Sequence, residues 1–522
     1  MKKHLKKILI GIGAFVLLVI AFGLYFNYYW IDKKLPLIIN EKNKSPYFIT
    51  YKNLNVSLLT STITASDISI VPKAALKDSI NKAGIFASVE SIEVRGISVW
   101  SLIVSDRIKA RRVIIQKPKI TLYKKDEKKI QYSKSLSADV VAPFEKVISV
   151  SEVELHNGDV TILYPKSGKP MLTARNISIE LNGIAITDDV LKRKIPFAYE
   201  TYSFDCDSVY YKPNVTYHIK TGKIATKNDG FTLEKLEYLC DLSRPAFIKS
   251  LETERDMYNI KVEKLNLNNL SWGFRKDDTL FVHSSKLQLD NVNANIFRDK
   301  RVADDLRKKK LYNSLLRDLG FDLRIDTLAI KNSVLEYEEQ VGDGGPGKLR
   351  WSPFNLTATN IYSGFEQTKL PDVKIVVAAK FMDVAPMNVK WNLNVLDKSD
   401  GFRIRGSIKK FPVEQLSDFS KPYMNFTGKG ILDEVYFDFK GNDNGSKGNF
   451  GINYDDLKFT IYKKNDRQKK NKFLTAVAGI FVKKDSKEKV KQTEIEVERE
   501  KDKSFYNMFW KSIAEGLKKI LI

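Results

Sequence analysis

The sequence predicts a mainly β protein: an N-terminal transmembrane helix, then a long twisted antiparallel sheet or groove with few helices, and a final amphipathic helix. Three observations predict it. Lys2, Lys3, Lys6 and Lys7 precede an uncharged, mostly apolar run over 8–26. From Tyr47 onward apolar and polar residues alternate, with β-branched residues enriched, which is the period of a half-buried strand. Helical spacing is confined to short windows near residues 250 and 310 and beyond residue 504.

The first element is the anchor. The run from Ile8 to Phe26 spans about 29 Å as a helix at 1.5 Å per residue, close to the hydrocarbon thickness of a bilayer. Tyr25, Phe26, Tyr28, Tyr29 and Trp30 form an aromatic belt at its far end, and the flanking lysines orient the tail inward. This assigns 1–7 to a cytoplasmic tail and 8–30 to the transmembrane helix. Ala21-Phe22-Gly23 offers a small-x-small cleavage pattern, but the bulky aromatic stretch behind it favours retention. No second apolar run of that length follows, so the body is expected wholly on the other side of the membrane.

The whole chain of 522 residues holds 29 Phe and 23 Tyr, most of them beyond the anchor, enough for a large core and against wholesale disorder. Ile63, Ile68 and Ile70 lie in one alternating run, and Val89, Ile92, Val94 and Ile97 in the next. A loose repeat joins Val150–Ile162 to Ile325–Tyr337, each read as strand, tight turn at Asn157-Gly158 or Asn332, and second strand. The resulting divisions are 31–145, 146–340 with an amphipathic helix over 302–318, and 341–462. The helix rests on Val302, Leu306, Leu311, Leu315 and Leu316, and a shorter one is expected within 245–255. Gly342–Gly347 and Gly441–Gly445 are turns, lacking the strand-to-helix context of a phosphate loop. A charged segment over 463–503 leads to an amphipathic helix over 504–522. With Phe505, Phe509, Trp510, Lys511, Lys518 and Lys519 it reads equally as an interfacial membrane helix or as a helix docked on the sheet.

The chemistry-bearing residues point away from catalysis. His4, His156, His218 and His283 are far apart, without the spacing of a zinc site, and no nucleophile elbow occurs. Asp205 and Asp207 face one side of a strand but have no further ligands, so no metal and no cofactor are predicted. Cys206 and Cys240 lie in strand-like text and read as buried thiols, with a single bridge open in an exported chain. The net charge of +24 is spread along the chain as solvated surface with membrane contact as the second reading, and no nucleic-acid motif accompanies it.

The order of features resembles the AsmA-like family of bacterial envelope proteins, within the repeating β-groove group that includes TamB. The stretches that carry it are Tyr47–Leu59, Val89–Ile103, and Ile108–Tyr123 around Pro118. Phe426–Asp433, Gly448–Leu457 and the terminal helix at Phe505–Leu517 add to it. The resemblance spans most of the chain in architecture, on degenerate motifs. It implies a periplasmic body on a cell inner membrane anchor, phospholipid as partner, and a non-enzymatic role in lipid transport or outer-membrane biogenesis. The groove candidates are then Ile92, Val94, Val153, Leu155, Leu328 and Ile330, with Phe505, Phe509, Trp510, Lys511, Lys518 and Lys519 as membrane contacts. About 25 strands at roughly 4.8 Å would stack to ~120 Å, short of a wide periplasm, so a full conduit needs an envelope protein partner. The alternative is a scaffold with a closed β core that binds a protein.

Overall fold

The computed structural model describes residues 47–57, 60–73, 84–97, 108–123, 148–164, 167–184, 198–227, 229–275, 277–463, 466–470, 486 and 489–521. The predicted tail and span over 1–30 lie outside them. Among the described residues no helix is long and apolar enough to cross a membrane. The chain divides into two compact units, 1–212 with 223–228 and 213–222 with 229–522.

The first unit is all strand among its described residues. β1 (Tyr47–Thr50) and β2 (Asn53–Ser57) together line β3 (Thr62–Pro72), which pairs with β4 (Gly84–Arg95). β5 (Ile108–Gln116) and β6 (Lys119–Tyr123) share the other edge of β4 and run parallel to β7 (Ile148–Leu163). β8 (Pro170–Asn182) follows antiparallel, then β9 (Thr201–Cys206) and β10 (Ser208–Tyr211).

The second unit begins with β11 (Tyr217–Thr221), while β12 (Ile224–Lys227) returns to β9 of the first unit. β11 pairs with β13 (Gly230–Cys240), then come β14 (Met257–Asn268), β15 (Ser271–Phe274) and β16 (Leu280–Asp299). β17 (Asp322–Gln340) lies parallel to β16. From there an antiparallel meander runs through β18 (Gly347–Tyr362), β19 (Val373–Phe381), β20 (Ala385–Leu393), β21 (Phe402–Pro412), β22 (Phe426–Gly441) and β23 (Gly445–Lys463). β24 (Asp466–Lys470) and β25 (Lys491–Glu498) both pair with β23. The helices are α1 (Arg244–Lys249), α2 (Tyr312–Arg317), α3 (Ser417–Met424) and α4 (Phe505–Leu521).

Mainly β architecture is therefore found, but each sheet is mixed. A parallel neighbour needs a crossover rather than a hairpin, and between β16 and β17 that crossover is 300–321. The repeat is also corrected. Asn157 and Asn332 do not turn hairpins; β7 and β17 run straight through them, with φ at 56° and 49°. A residue in the left-handed region adds one to the strand and shifts its alternation, a β-bulge. In β7 the apolar positions move from Val153 and Leu155 to Val160 and Ile162, so the same face stays apolar. Asn176 in β8 (φ 51°) and Asn291 in β16 (φ 53°) do the same. The bulges stand side by side: Asn157 Nδ2 donates to Asn176 Oδ1 at 2.8 Å, and Asn176 Nδ2 donates to Asp207 Oδ2 at 2.7 Å.

The helix expected over 302–318 shrinks to α2. The Asp305 carboxylate accepts the Arg307 amide at 3.2 Å and its guanidinium at 2.7 Å, a local turn that competes with helix. Lys309 donates its amide to the Lys501 carbonyl at 2.8 Å instead of to a preceding turn, and Leu306 is 76% exposed. Within 463–503, strand β25 had no place in the sequence reading; its Ile495 is buried between charged neighbours that face outward. The helix expected over 245–255 starts one residue early, with Ser243 capping the Ala246 amide, and stops at Lys249, where the Ser250 amide caps it.

Candidate functional site

Register sets the face. In the first unit Ile63, Val94, Val113, Val153 and Leu181 are successive cross-strand partners. Ala65, Ile92, Ile115, Leu155, Ile179 and Phe204 form the neighbouring row. The groove candidates Ile92, Val94, Val153 and Leu155 thus share one face, and all four are only half-buried. Beyond the bulges the face continues. Leu155, Ile179 and Phe204 pack with Val160, Leu172 and Val209 around buried Ala174, Ile177 and Cys206. The opposite face is polar and internally balanced: Arg112 Nε meets Glu152 at 2.6 Å, and its other nitrogen meets Glu154 at 3.1 Å.

In the second unit Leu328 follows Leu267 and Leu287 in one row and continues to Ala358, Ile375 and Trp391. Ile330 follows Leu265 and Leu289 and continues to Leu356, Val377 and Val389. The two halves of these rows differ in cover. From Ile375 onward they join a core of Phe402, Ile404, Phe437, Phe439, Phe450 and Ile452 closed by α2 and α4. Leu265, Leu267, Leu287, Leu289, Leu328, Ile330 and Leu356 stay half-buried outside it.

α4 supplies most of that cover. Phe505 is 4% exposed and stacks on Trp391 with ring centroids 4.4 Å apart, and Phe509 stands edge-on to Phe437 at 5.1 Å. The Ser512 hydroxyl, fully buried, meets the Ser446 hydroxyl at 3.1 Å. Of the residues expected at a membrane, Phe505 and Phe509 are instead committed to the sheet, and Trp510 lies edge-on to Phe419 at 5.9 Å. Lys511 pairs with Glu500, and Lys519 donates to the Glu494 carbonyl at 3.1 Å. Lys518 lies in the last turn of α4, where its charge opposes the helix dipole. The docked reading is the one the structure adopts, because the helix has an apolar stripe and the sheet has an apolar face to receive it.

Polar residues at the rim are structural. Arg244 donates to both Glu338 oxygens and lies 4.3 Å over the Phe297 ring. Burial alone would raise the Glu338 carboxyl, but Arg244 and Asn295 hold it below its ordinary range. Burial pushes the Tyr258 hydroxyl up to about 12, with Asp256 adding to the effect. Burial also raises the Tyr312 hydroxyl, which lies against Tyr506. Cys206 and Cys240 are both free thiols, raised chiefly by burial. The histidines stay apart: His156 sits 3.1 Å from Glu154, and His283 3.0 Å from Asp322. Asp205 pairs in register with Ser178, whereas Asp207 accepts from Asn176, so the two aspartates converge on no common point. Among the described residues no group of three or more His, Cys, Asp or Glu could hold a metal.

The sequence reading missed the partners that complete the rows, Val113, Ile115 and Ile179 in the first unit and Leu265, Leu287 and Leu289 in the second. Their signal was the same alternation; what was missing was register. The fold and this face define the class: a mainly β protein whose sheet presents one apolar face, partly uncovered. No protein-family model matches the chain, and no curated protein matches it.

Proposed function

We propose that the protein shelters phospholipid acyl chains on the apolar face of its sheet. It would act as a non-enzymatic envelope protein, anchored in the inner membrane, in lipid transport or outer-membrane biogenesis, as AsmA-like proteins do. The observation that carries this reading is the set of half-buried apolar rows through Ile92, Val94, Val153 and Leu155 and through Leu328 and Ile330. An apolar strip of this extent is costly in water and calls for a cover. An acyl chain is apolar, linear and able to follow strands across their rows.

The test is photocrosslinking of the full chain in membranes, with a photoreactive residue at Leu155 or Ile330 and, on the opposite face, at Glu154 or Lys331. Lipid adducts are expected at the first pair and absent at the second; adducts at neither, or equally at both, end the proposal. The second reading, a scaffold with a closed core that binds a protein partner, is favoured by the α2 and α4 cover over β19–β25. Ile92→Asp and Ile330→Asp separate the two: lost function in a folded protein fits an open face, and unfolding fits a closed core.

A further inference from the structure

The face of the second unit opposite the apolar rows is polar, and its charges are arranged in two different ways. Across β13, β14, β16 and β17 they alternate in sign: Glu234, Lys264, Asp290 and Lys331 are successive cross-strand partners. Each cation there has carboxylates beside it, the favourable arrangement for neighbours about 5 Å apart. Further along the same face the alternation fails. Arg403, Lys440 and Lys447 are directly successive partners on β21, β22 and β23. Lys374 stands two strands before Arg403 in that row, across Asn392. The next row places Lys390 opposite Arg405. All six of these cations are exposed.

Compensation is slight. Asp438 binds Arg403 in a two-pronged pair, with contacts of 2.8 and 2.6 Å. Its carboxyl is held low chiefly by that guanidinium, with Arg405 and Lys440 adding to the effect. Glu496 stands opposite Lys447 at the end of one row and Glu494 at the end of the next, so six cations face three carboxylates. Like charges placed directly opposite destabilise a sheet, and the row through β13, β14, β16 and β17 avoids the arrangement. On β20–β23 the arrangement gathers exposed cations in excess of the carboxylates beside them.

We propose that this ladder of Lys374, Lys390, Arg403, Arg405, Lys440 and Lys447 docks on an anionic phospholipid surface. Charge complementarity selects an anionic partner, and shape selects a bilayer over a polyanionic strand. The cations lie in two rows across a pleated sheet, not along a groove that would track a chain. The aromatic on this face, Tyr436, is folded onto Gly451: a Cβ there would fall 2.1 Å from Tyr436 Cε1, so the ring lies flat on the backbone instead of standing out as a stacking platform. Val376, 46% exposed and opposite Lys390, adds an apolar group suited to a headgroup layer.

The experiment uses the full chain held in phosphatidylcholine nanodiscs and passed over immobilised vesicles of phosphatidylcholine, with or without phosphatidylglycerol. Capture is expected only with phosphatidylglycerol and is expected to vanish in high salt. Each neutralised cation weakens capture about 5-fold, so Lys374→Gln, Lys440→Gln and Lys447→Gln together cost on the order of 100-fold. These side chains are exposed, so the triple variant folds. A control carrying Lys264→Gln and Lys331→Gln, from the alternating row, keeps capture within about 3-fold on the same scale. Equal capture by the triple variant and wild type overturns the proposal. So does capture that ignores phosphatidylglycerol, or binding of soluble polyphosphate with no capture by vesicles.

Discussion

Gly516→Ala is the sharpest probe of whether α4 belongs to the sheet. On an isolated or interfacial helix the change is favourable by about 1 kcal/mol, because glycine is the poorer helix former. Docked as it is here, the added Cβ would fall 2.4 Å from Cγ, 2.5 Å from Cδ1 and 2.7 Å from Cβ of Phe450. Phe450 is fully buried between Phe437 and the helix and has no room to rotate away. The helix must therefore retreat by about 1 Å, and a gap of that size forfeits a quarter to half of each dispersion contact it opens. Overpacking of this kind costs ~1–3 kcal/mol. Set against the gain in propensity, the net effect is a loss of roughly 0–2 kcal/mol, against a gain of about 1 kcal/mol for a free helix.

The assay is guanidinium unfolding followed by tryptophan fluorescence, since Trp391 stacks on Phe505 of α4 and reports its departure directly. Gly320→Ala is the control, because a Cβ there meets nothing within 4 Å. The variant is expected to unfold at lower denaturant with an unchanged slope. A Gly516→Ala protein more stable than wild type by about 1 kcal/mol refutes the docked arrangement and restores α4 as a free amphipathic helix.

Other consequences are equally direct. Asn157→Gly keeps the left-handed backbone and is expected within about 0.5 kcal/mol of wild type, whereas Asn157→Val strains it by ~1–2 kcal/mol; equal midpoints in urea for the two would remove the bulge. Arg499→Met breaks the buried pair with Asp443 and the bond to the Lys309 carbonyl, and is expected to cost about 3 kcal/mol by chemical denaturation. Arg244→Met tests the acid limb. Glu338 is held below its unfolded value, so its contribution is present above pH ~4.3 and lost as pH falls through the lower folded value. The variant's deficit, about 2 kcal/mol at pH 7 given the half-exposed guanidinium, is therefore expected to shrink in acid; a pH-independent deficit contradicts the assignment. Cys206, 1% exposed, is expected to resist a thiol reagent until the protein unfolds, and rapid labelling in the native state would show its strand to be open.

Much of the strand content was legible because alternation is a local signal. Ile92 with Val94, and Val153 with Leu155, announce a half-buried strand within a few residues. Whether those pairs share a face is decided by register, which depends on partners tens of residues away, as Val113 is from Val153, and has no local signature. The bulges show the limit most clearly. Asn157-Gly158 carries a standard hairpin signal, and only pairing on both edges of β7 keeps the chain extended through it. The 302–318 window failed in the opposite sense: its apolar spacing was helical, but Asp305 engages Arg307 locally and Leu306 faces solvent. α4 was ambiguous for a physical reason, since an amphipathic stripe describes what a helix needs to cover and not what covers it.

The bulges and the half-covered rows belong to one design. A strand of 16 to 20 residues, such as β7 or β16, twists far enough to carry its apolar side off the common face. A left-handed residue near mid-strand bends the strand and resets the alternation by one, so that Val160 continues the surface that Leu155 began. Repeated at Asn157, Asn176, Asn291 and Asn332, this device lets long strands keep one continuous apolar surface within each unit. Long strands occur under cover too: β22 and β23, of 16 and 19 residues, carry bulges of their own and lie in the core that α2 and α4 close. Over β13–β18 the described helices cover only part of that surface, α1 packing on Met257 and Phe297 and α3 on β17 and β18, so the half-buried rows through Leu328 and Ile330 are the stretch of it that a ligand could still reach.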